Sequence, residues 1–438
     1  MNWKTLPLGL LLLAGTACSG GASLGPAARF EAPVTLERQS LDSGGAQADG
    51  ASTRTRLAGT GGAVAFESLA TNLVLGDTNG VSDVFLRDRW SRRTLRVSVS
   101  GVGNQADGAS TGPAPNGDVS RVAFTSAATN LVPGDTNGVD DVFLRDLAGG
   151  ATVRLSTDSG GNQANGASGQ AHLSSDGNLA AFASDATNLV AGDTNGVADV
   201  FVKNRVTGLV ERASVDSGGL EANGPSSEPC LSADGRYVAF SSLATNLVPG
   251  DTNGVADIFL RDLSTGTTTR VSVDSAGLQA DGASLRPSLS GTGAFVAFDS
   301  AATNLVAGDT NGVRDVFLRA VETGTTTRLS VDSAGAQADG DSLAPSLNLP
   351  GTAIAFHSVA TNLVAGDTNG VADVFLKLPG TGATSRLSVS VSGLQADGPS
   401  TFASLSDSGF SAAFQSLATN LVPADTNGVS DSFATPIR

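Results

Sequence analysis

The chain has 438 residues, 55 of them glycine, with 40% hydrophobic and 16% charged residues and a net charge of -16. That acidic balance excludes nucleic acid and anionic lipid surfaces as partners, since both need clustered Lys and Arg. Two cysteines, Cys18 and Cys230, exclude a disulfide framework.

In chain order, Lys4 precedes an apolar run from Leu6 to Ala14 that is too short to span a bilayer, and small residues then lead to Cys18. Gly15-Thr16-Ala17-Cys18 resembles a bacterial lipoprotein processing site. The resemblance implies that residues 1–18 are a signal peptide, that Cys18 is lipidated, and that an exported protein is anchored at the outer membrane or cell surface. Cleavage as an ordinary secretory signal would leave it periplasmic or secreted. Residues 19–32, rich in Gly, Ala and Ser, read as a flexible tether.

Residues 33–438 are repeat throughout. Asp-Thr-Asn-Gly-Val-x-Asp starts at Asp77, Asp135, Asp193, Asp251, Asp309, Asp367 and Asp425, always 58 residues apart. A period of that length means one supersecondary unit stacked on itself. In the fourth unit, Glu228 to Leu231 reads as a first strand and Ala233-Asp234-Gly235-Arg236 as a hairpin turn. Tyr237 to Phe240 is the second strand, Ile258 to Leu260 the third, and Thr268 to Val273 the fourth. Four short strands per unit, joined by Gly-rich turns, describe a propeller blade. Phenylalanines recur on the second strand (Phe66 to Phe414) and on the third (Phe85 to Phe433), where they are expected to pack blade against blade.

Val34 to Leu41 aligns with a fourth strand, with Arg38 in register with Arg96 and Arg270, while Phe433 falls in a third strand. The opening strand therefore completes the last blade and leaves no exposed edge. The expected fold is all-β: a seven-bladed β-propeller of four-stranded blades, its ring closed by the N-terminal strand.

Ser232-Ala233-Asp234-Gly235-Arg236-Tyr237-Val238-Ala239-Phe240 resembles the WD-repeat-like propeller motif of the TolB family. The likeness covers every blade and is closest in this one. It implies a bacterial envelope propeller used for protein contacts. The blades are longer than those of TolB and the sequence shows no counterpart of TolB's small N-terminal domain, so a role in the Tol–Pal system is not carried over.

In an antiparallel blade, the connection between strands two and three shares one end of the disc with the connection from strand four to the next blade. The second of these holds Gln-Ala-Asp-Gly or a close variant, at Gln47, Gln105, Gln163, Glu221, Gln279, Gln337 and Gln395. Both motifs are expected on one acidic face. Two readings stand. In one, each loop binds calcium, which prefers several oxygen donors in a compact turn. The candidate ligands are Asp77, Asn79 and Asp83; Asp135, Asn137 and Asp141; Asp193, Asn195 and Asp199; Asp251, Asn253 and Asp257; Asp309, Asn311 and Asp315; Asp367, Asn369 and Asp373; and Asp425, Asn427 and Asp431. In the other, the same residues cap a tight Asn-Gly turn. The Ala-Thr-Asn-Leu-Val segment starting at Ala70 reads as an ordered turn with its Leu and Val tucked under. The Arg series from Arg38 to Arg386 reads as solvated, or paired at the blade edge.

No catalytic constellation is evident. His172, at a first-strand position, and His357, just after a second strand, sit at non-equivalent places, and seven near-identical carboxylate pairs do not give the separated environments that acid–base chemistry needs. The expectation is a monomeric, non-catalytic scaffold binding an envelope or extracellular protein, touching the membrane only through its lipid anchor. The alternative is an extracellular polymer lyase or hydrolase acting in the channel through Arg54, Arg56, Glu228 and Arg286, which vary between blades.

Overall fold

The computed structural model describes residues 35–437; the expected signal peptide, Cys18 and the tether lie outside them. Within that range the chain forms seven four-stranded antiparallel sheets. Blade four shows the pattern, with strands at Ser226–Leu231, Tyr237–Ser242, Asp257–Asp262 and Thr267–Arg270. The first strand of each blade touches the first strand of both neighbouring blades, so seven inner strands close a ring around a central channel.

Side-chain size explains how blades stack. On one face of blade four, Phe240 lies opposite Phe259 in register, with ring centroids 5.8 Å apart. These rings pack onto the small, branched face of blade three at Ala181, Val200 and Val202. The opposite face of blade four offers Ala239, Ile258 and Leu260 to Phe298 and Phe317 of blade five. A large face against a small one repeats around the ring, and full burial of each Phe contributes roughly 1.5–3 kcal/mol.

The seam follows the expected plan. Glu37 pairs with Ala434 and Arg38 with Phe433, making the strand Glu37–Arg38 the outer strand of blade seven. Three local readings need correction. Strand four of blade four stops at Arg270 instead of Val273: the Ile258 N–H goes to the Ser272 hydroxyl, and Val273 pairs instead with Gln279 of the following loop. Strand one starts two residues earlier than expected and carries a bulge between Ser227 and Cys230. His357 lies inside the second strand of blade six, Ile354–Ser358, and not after it.

Candidate functional site

The repeated motifs meet on one face, as the topology requires, and the strand-four arginine joins them. Arg270 Nη1 lies 3.1 Å from Asp251 Oδ1 and 3.4 Å from Asp257 Oδ2. The same Arg-to-two-Asp clamp occurs in all seven blades, with separations to the first Asp between 2.9 and 3.9 Å. These arginine side chains are only 6–11% exposed, so of the two expectations, solvated or paired, the paired one holds, as a ring of buried ion pairs. With two carboxylates to one guanidinium, burial pushes Asp251 and Asp257 above the usual carboxylate range, and Arg270 offsets this only in part.

A calcium ion needs about six to eight oxygen donors, and this donor set does not fit one. Asp257 Oδ1 accepts the Ser272 hydroxyl at 2.5 Å, and Oδ2 accepts the Asn253 amide at 2.8 Å. Asn253 Oδ1 accepts the Val255 N–H, and the guanidinium already stands as the cation between the two carboxylates. Among the described residues no group of three or more His, Cys, Asp or Glu is placed to hold a metal. The arrangement is that of a capped turn with an internal counter-charge. In the third clamp Glu221 replaces the usual Gln. The Thr194 hydroxyl, followed by Arg212, holds its carboxyl down at about 2.

The other recurring residues brace the two loops against each other, with Asn165 and Asn223 taking the place of Asp49 in blades three and four. Asp49 accepts both the N–H and the hydroxyl of Thr71 at 2.7 Å. Asn72 accepts the Asp49 N–H at 3.1 Å and donates to Gln47 O at 2.8 Å. Leu73 is buried beneath, as expected. Gly50 is fixed by close approach, since a Cβ there would stand 2.7 Å from the backbone of Leu69 and Ala70. The sameness of these positions across seven blades is thus accounted for by turn construction.

Differences between blades gather at the channel mouth on this same face. At each strand-one bulge one residue adopts positive φ: Arg54, Gly112, Gln170, Glu228, Arg286, Ala344 and Phe402. In five of the seven, a side chain of a preceding blade accepts the exposed N–H. Arg286 N donates to Glu228 Oε2 at 2.7 Å, Glu228 N to Gln170 Oε1 at 2.7 Å, and Arg54 N to Gln415 Oε1 at 2.7 Å. Gly112 N donates to Glu67 and Ala344 N to Asp299.

The mouth is most charged between blades four and six. Asp299, fully buried, takes a two-pronged pair from Arg286 at 2.7 and 3.0 Å and a third bond from Arg314 at 3.1 Å. Arg314 occupies the sixth motif position, the one that wanders between blades, and its N–H donates to Asp341. Burial pushes the Glu228 carboxyl up. Burial, then Arg286, hold His357 down at about 4, and its Nδ1 has no hydrogen-bond partner. The Phe402 ring, 45% exposed, lies 5.4 Å from the His357 ring.

Of the four expected channel residues, Glu228 and Arg286 are therefore joined, whereas Arg54 pairs with Glu67 at 3.3 Å. Arg56 sits one step deeper. There the buried Cys230 lies 3.8 Å from His172, whose Nδ1 accepts the Leu231 N–H. Burial opposes the Cys230 thiolate, but His172 and Arg56 among others outweigh it and lower the thiol's pKa. Asp299, Arg314 and Phe402 were not among the expected site residues, and His357 entered only as a histidine outside any constellation. The signal was present in the wandering sixth position and in the series Glu67, Thr125, Ala183, Ser241, Asp299, His357 and Gln415.

No family model and no curated protein matches the chain. Solved structures do. TolB from Acinetobacter baumannii is 17% identical with a TM-score of 0.40, covering 69% of this chain, which in turn spans only 58% of that protein. A putative TolB from Agrobacterium tumefaciens is 15% identical with a TM-score of 0.42, over 80% of this chain and 95% of that one. In fold, the chain is a seven-bladed β-propeller. An oligogalacturonate lyase in complex with manganese superposes with a TM-score of 0.56 at 11% identity, over 93% of this chain and 95% of that one. Identities this low speak for the propeller fold alone.

Proposed function

We propose that the chain is an exported, lipid-anchored, non-catalytic propeller that binds an envelope or extracellular protein at the channel mouth of its motif face. One observation carries the reading: residues that break the sevenfold repetition, Glu228, Arg286, Asp299, Arg314, His357 and Phe402, collect in one place. A half-exposed aromatic ring beside arginines and carboxylates has the composition of a protein-binding hot spot. The repeated residues, by contrast, spend their hydrogen bonds within their own loops.

The test is a photo-crosslinking amino acid placed at Phe402, compared with one at Val206 on the outer hairpin of blade three. The reading expects one dominant envelope partner from position 402. It also expects capture to fall at least about tenfold in an Arg314→Ala variant, which restores the residue of blades three, four and six. Equal capture from both positions would refute it. A second reading, a lyase or hydrolase for an extracellular polymer, is favoured by the raised Glu228 carboxyl beside Arg286 and by the neutral His357. Turnover of any acidic oligosaccharide that disappears in Glu228→Gln would replace the scaffold reading with this one.

A further inference from the structure

We infer that the rim groove between blades seven and one is a binding site for an oxyanion, a carboxylate or phosphate group seated side-on against Arg89. The groove has a volume of about 560 Å³ and is lined in part by Glu37, Arg87, Arg89, Arg92 and Ala424. Arg89 is 5% exposed. Its Nη1 donates to Gly61 O at 2.7 Å, while Nε and Nη2 are buried without a hydrogen-bond partner. Those two nitrogens form one edge of the guanidinium, the edge that takes a carboxylate or phosphate through two parallel bonds.

The other blades show that this edge is a departure from the repeat. At the equivalent position blades two, four, five and seven carry Leu147, Leu263, Val321 and Ile437, all apolar. Blade three has Arg205, and there the same edge is satisfied: Nη2 donates to Asn178 Oδ1 at 2.9 Å and Nε to Gly177 O at 3.4 Å. The counterpart of Asn178 in blade one is Gly62. It admits no side chain, because a Cβ would stand 2.6 Å from Trp90 Nε1. Blade one has thus exchanged the amide cap for an indole and left a buried cation with a free fork. Burial pushes the Arg89 guanidinium pKa down, and Glu37, on the wall of the same groove, offsets this only in part without bonding the free edge. An arriving oxyanion supplies the missing charge, with Arg87 and Arg92 on the same groove wall favouring its approach in a chain of net charge -16.

Thermal melting of the full chain tests this. It would be run in sodium phosphate and in sodium acetate, each against sodium chloride of matched ionic strength and pH. The expected result is a saturable rise of about 2 °C or more in at least one oxyanion and none in chloride. Which salt acts distinguishes phosphate from carboxylate. Arg89→Leu, the residue of blades two and four, should melt higher than the parent in chloride and lose the response. The double change Gly62→Asn with Trp90→Val rebuilds the blade-three cap and should lose the response while keeping Arg89. A parent that responds to neither salt, an Arg89→Leu variant that still responds, or one that melts lower in chloride would each overturn the assignment.

Discussion

Arg270 Nη1 stands 3.1 Å from Asp251 Oδ1, on the side of the loop where a metal ion was the alternative reading of the motif. One guanidinium therefore serves two buried carboxylates, Asp251 and Asp257. Removing it strands both. Arg270→Ala is expected to cost about 3–5 kcal/mol in urea unfolding at neutral pH. Burial has already raised both carboxyl pKa values above 3.8, so their charge penalty is full above the folded values and vanishes below the unfolded one. The deficit of Arg270→Ala should accordingly shrink as pH falls from 7 toward 4. A deficit that stays constant with pH would mean the carboxylates do not feel the arginine.

The same clamp makes a prediction about metal. Melting curves in millimolar calcium and in chelator should coincide, because the oxygens a calcium ion would need already accept bonds from Ser272, Asn253 and Arg270. A rise in melting temperature with calcium that saturates would show that the ion displaces the guanidinium.

The architecture was legible because it rests on a count and on size alternation. The 58-residue period sets seven blades, and the register of Arg38 with Arg270 seals the ring. The site was only partly legible. Invariance drew attention to Asp-Thr-Asn-Gly, yet Asp257 and Asn253 recur because every blade needs the same turn. The partner of Asp251 comes from strand four, nineteen residues on, and appears only once hairpin pairing brings Phe259 opposite Arg270. His357 and Phe402, from different blades, meet through blade stacking, which no local spacing encodes.

Close packing at the loop junction gives a sharp local test. A Cβ on Gly282 would lie 2.6 Å from the Ala301 backbone, and backbone cannot rotate aside. Gly282→Ala should destabilise by about 1–3 kcal/mol through overpacking, read as a lower urea midpoint at unchanged slope. No change would mean the two loops are looser than their bonds through Asp281 and Thr303 imply.

The seam should be the weakest joint of the ring, since its outer strand contributes only two paired residues. Arg38 ties that strand down through Asp425 at 2.9 Å and Asp431 at 3.5 Å. Arg38→Ala is expected to release it locally, so that hydrogen exchange speeds up at Gln39, whose N–H donates to Ser432 O, before it does so in blade four. Uniform acceleration across all blades would instead indicate that ring closure and blade stability are one cooperative event.

His357 supplies a pH signature specific to the channel mouth. Its pKa is lowered from 6.5 to about 4, chiefly by burial and next by Arg286, with Asp299 pulling the other way. The unfolded chain therefore binds a proton that the folded chain refuses between those values. The stability tied to neutral His357 is fully present above pH 6.5 and is lost as pH falls through 4, on the order of 3 kcal/mol in all. Thr125 occupies the same place in blade two, so His357→Thr restores a residue the fold accepts there. Subtracting the variant's stability-versus-pH curve from the parent's should leave a step between pH 6.5 and 4, with the parent losing ground as the solution is acidified. A flat difference would mean that His357 is solvated in the folded protein, and that the mouth is open enough for water to reach its Nδ1.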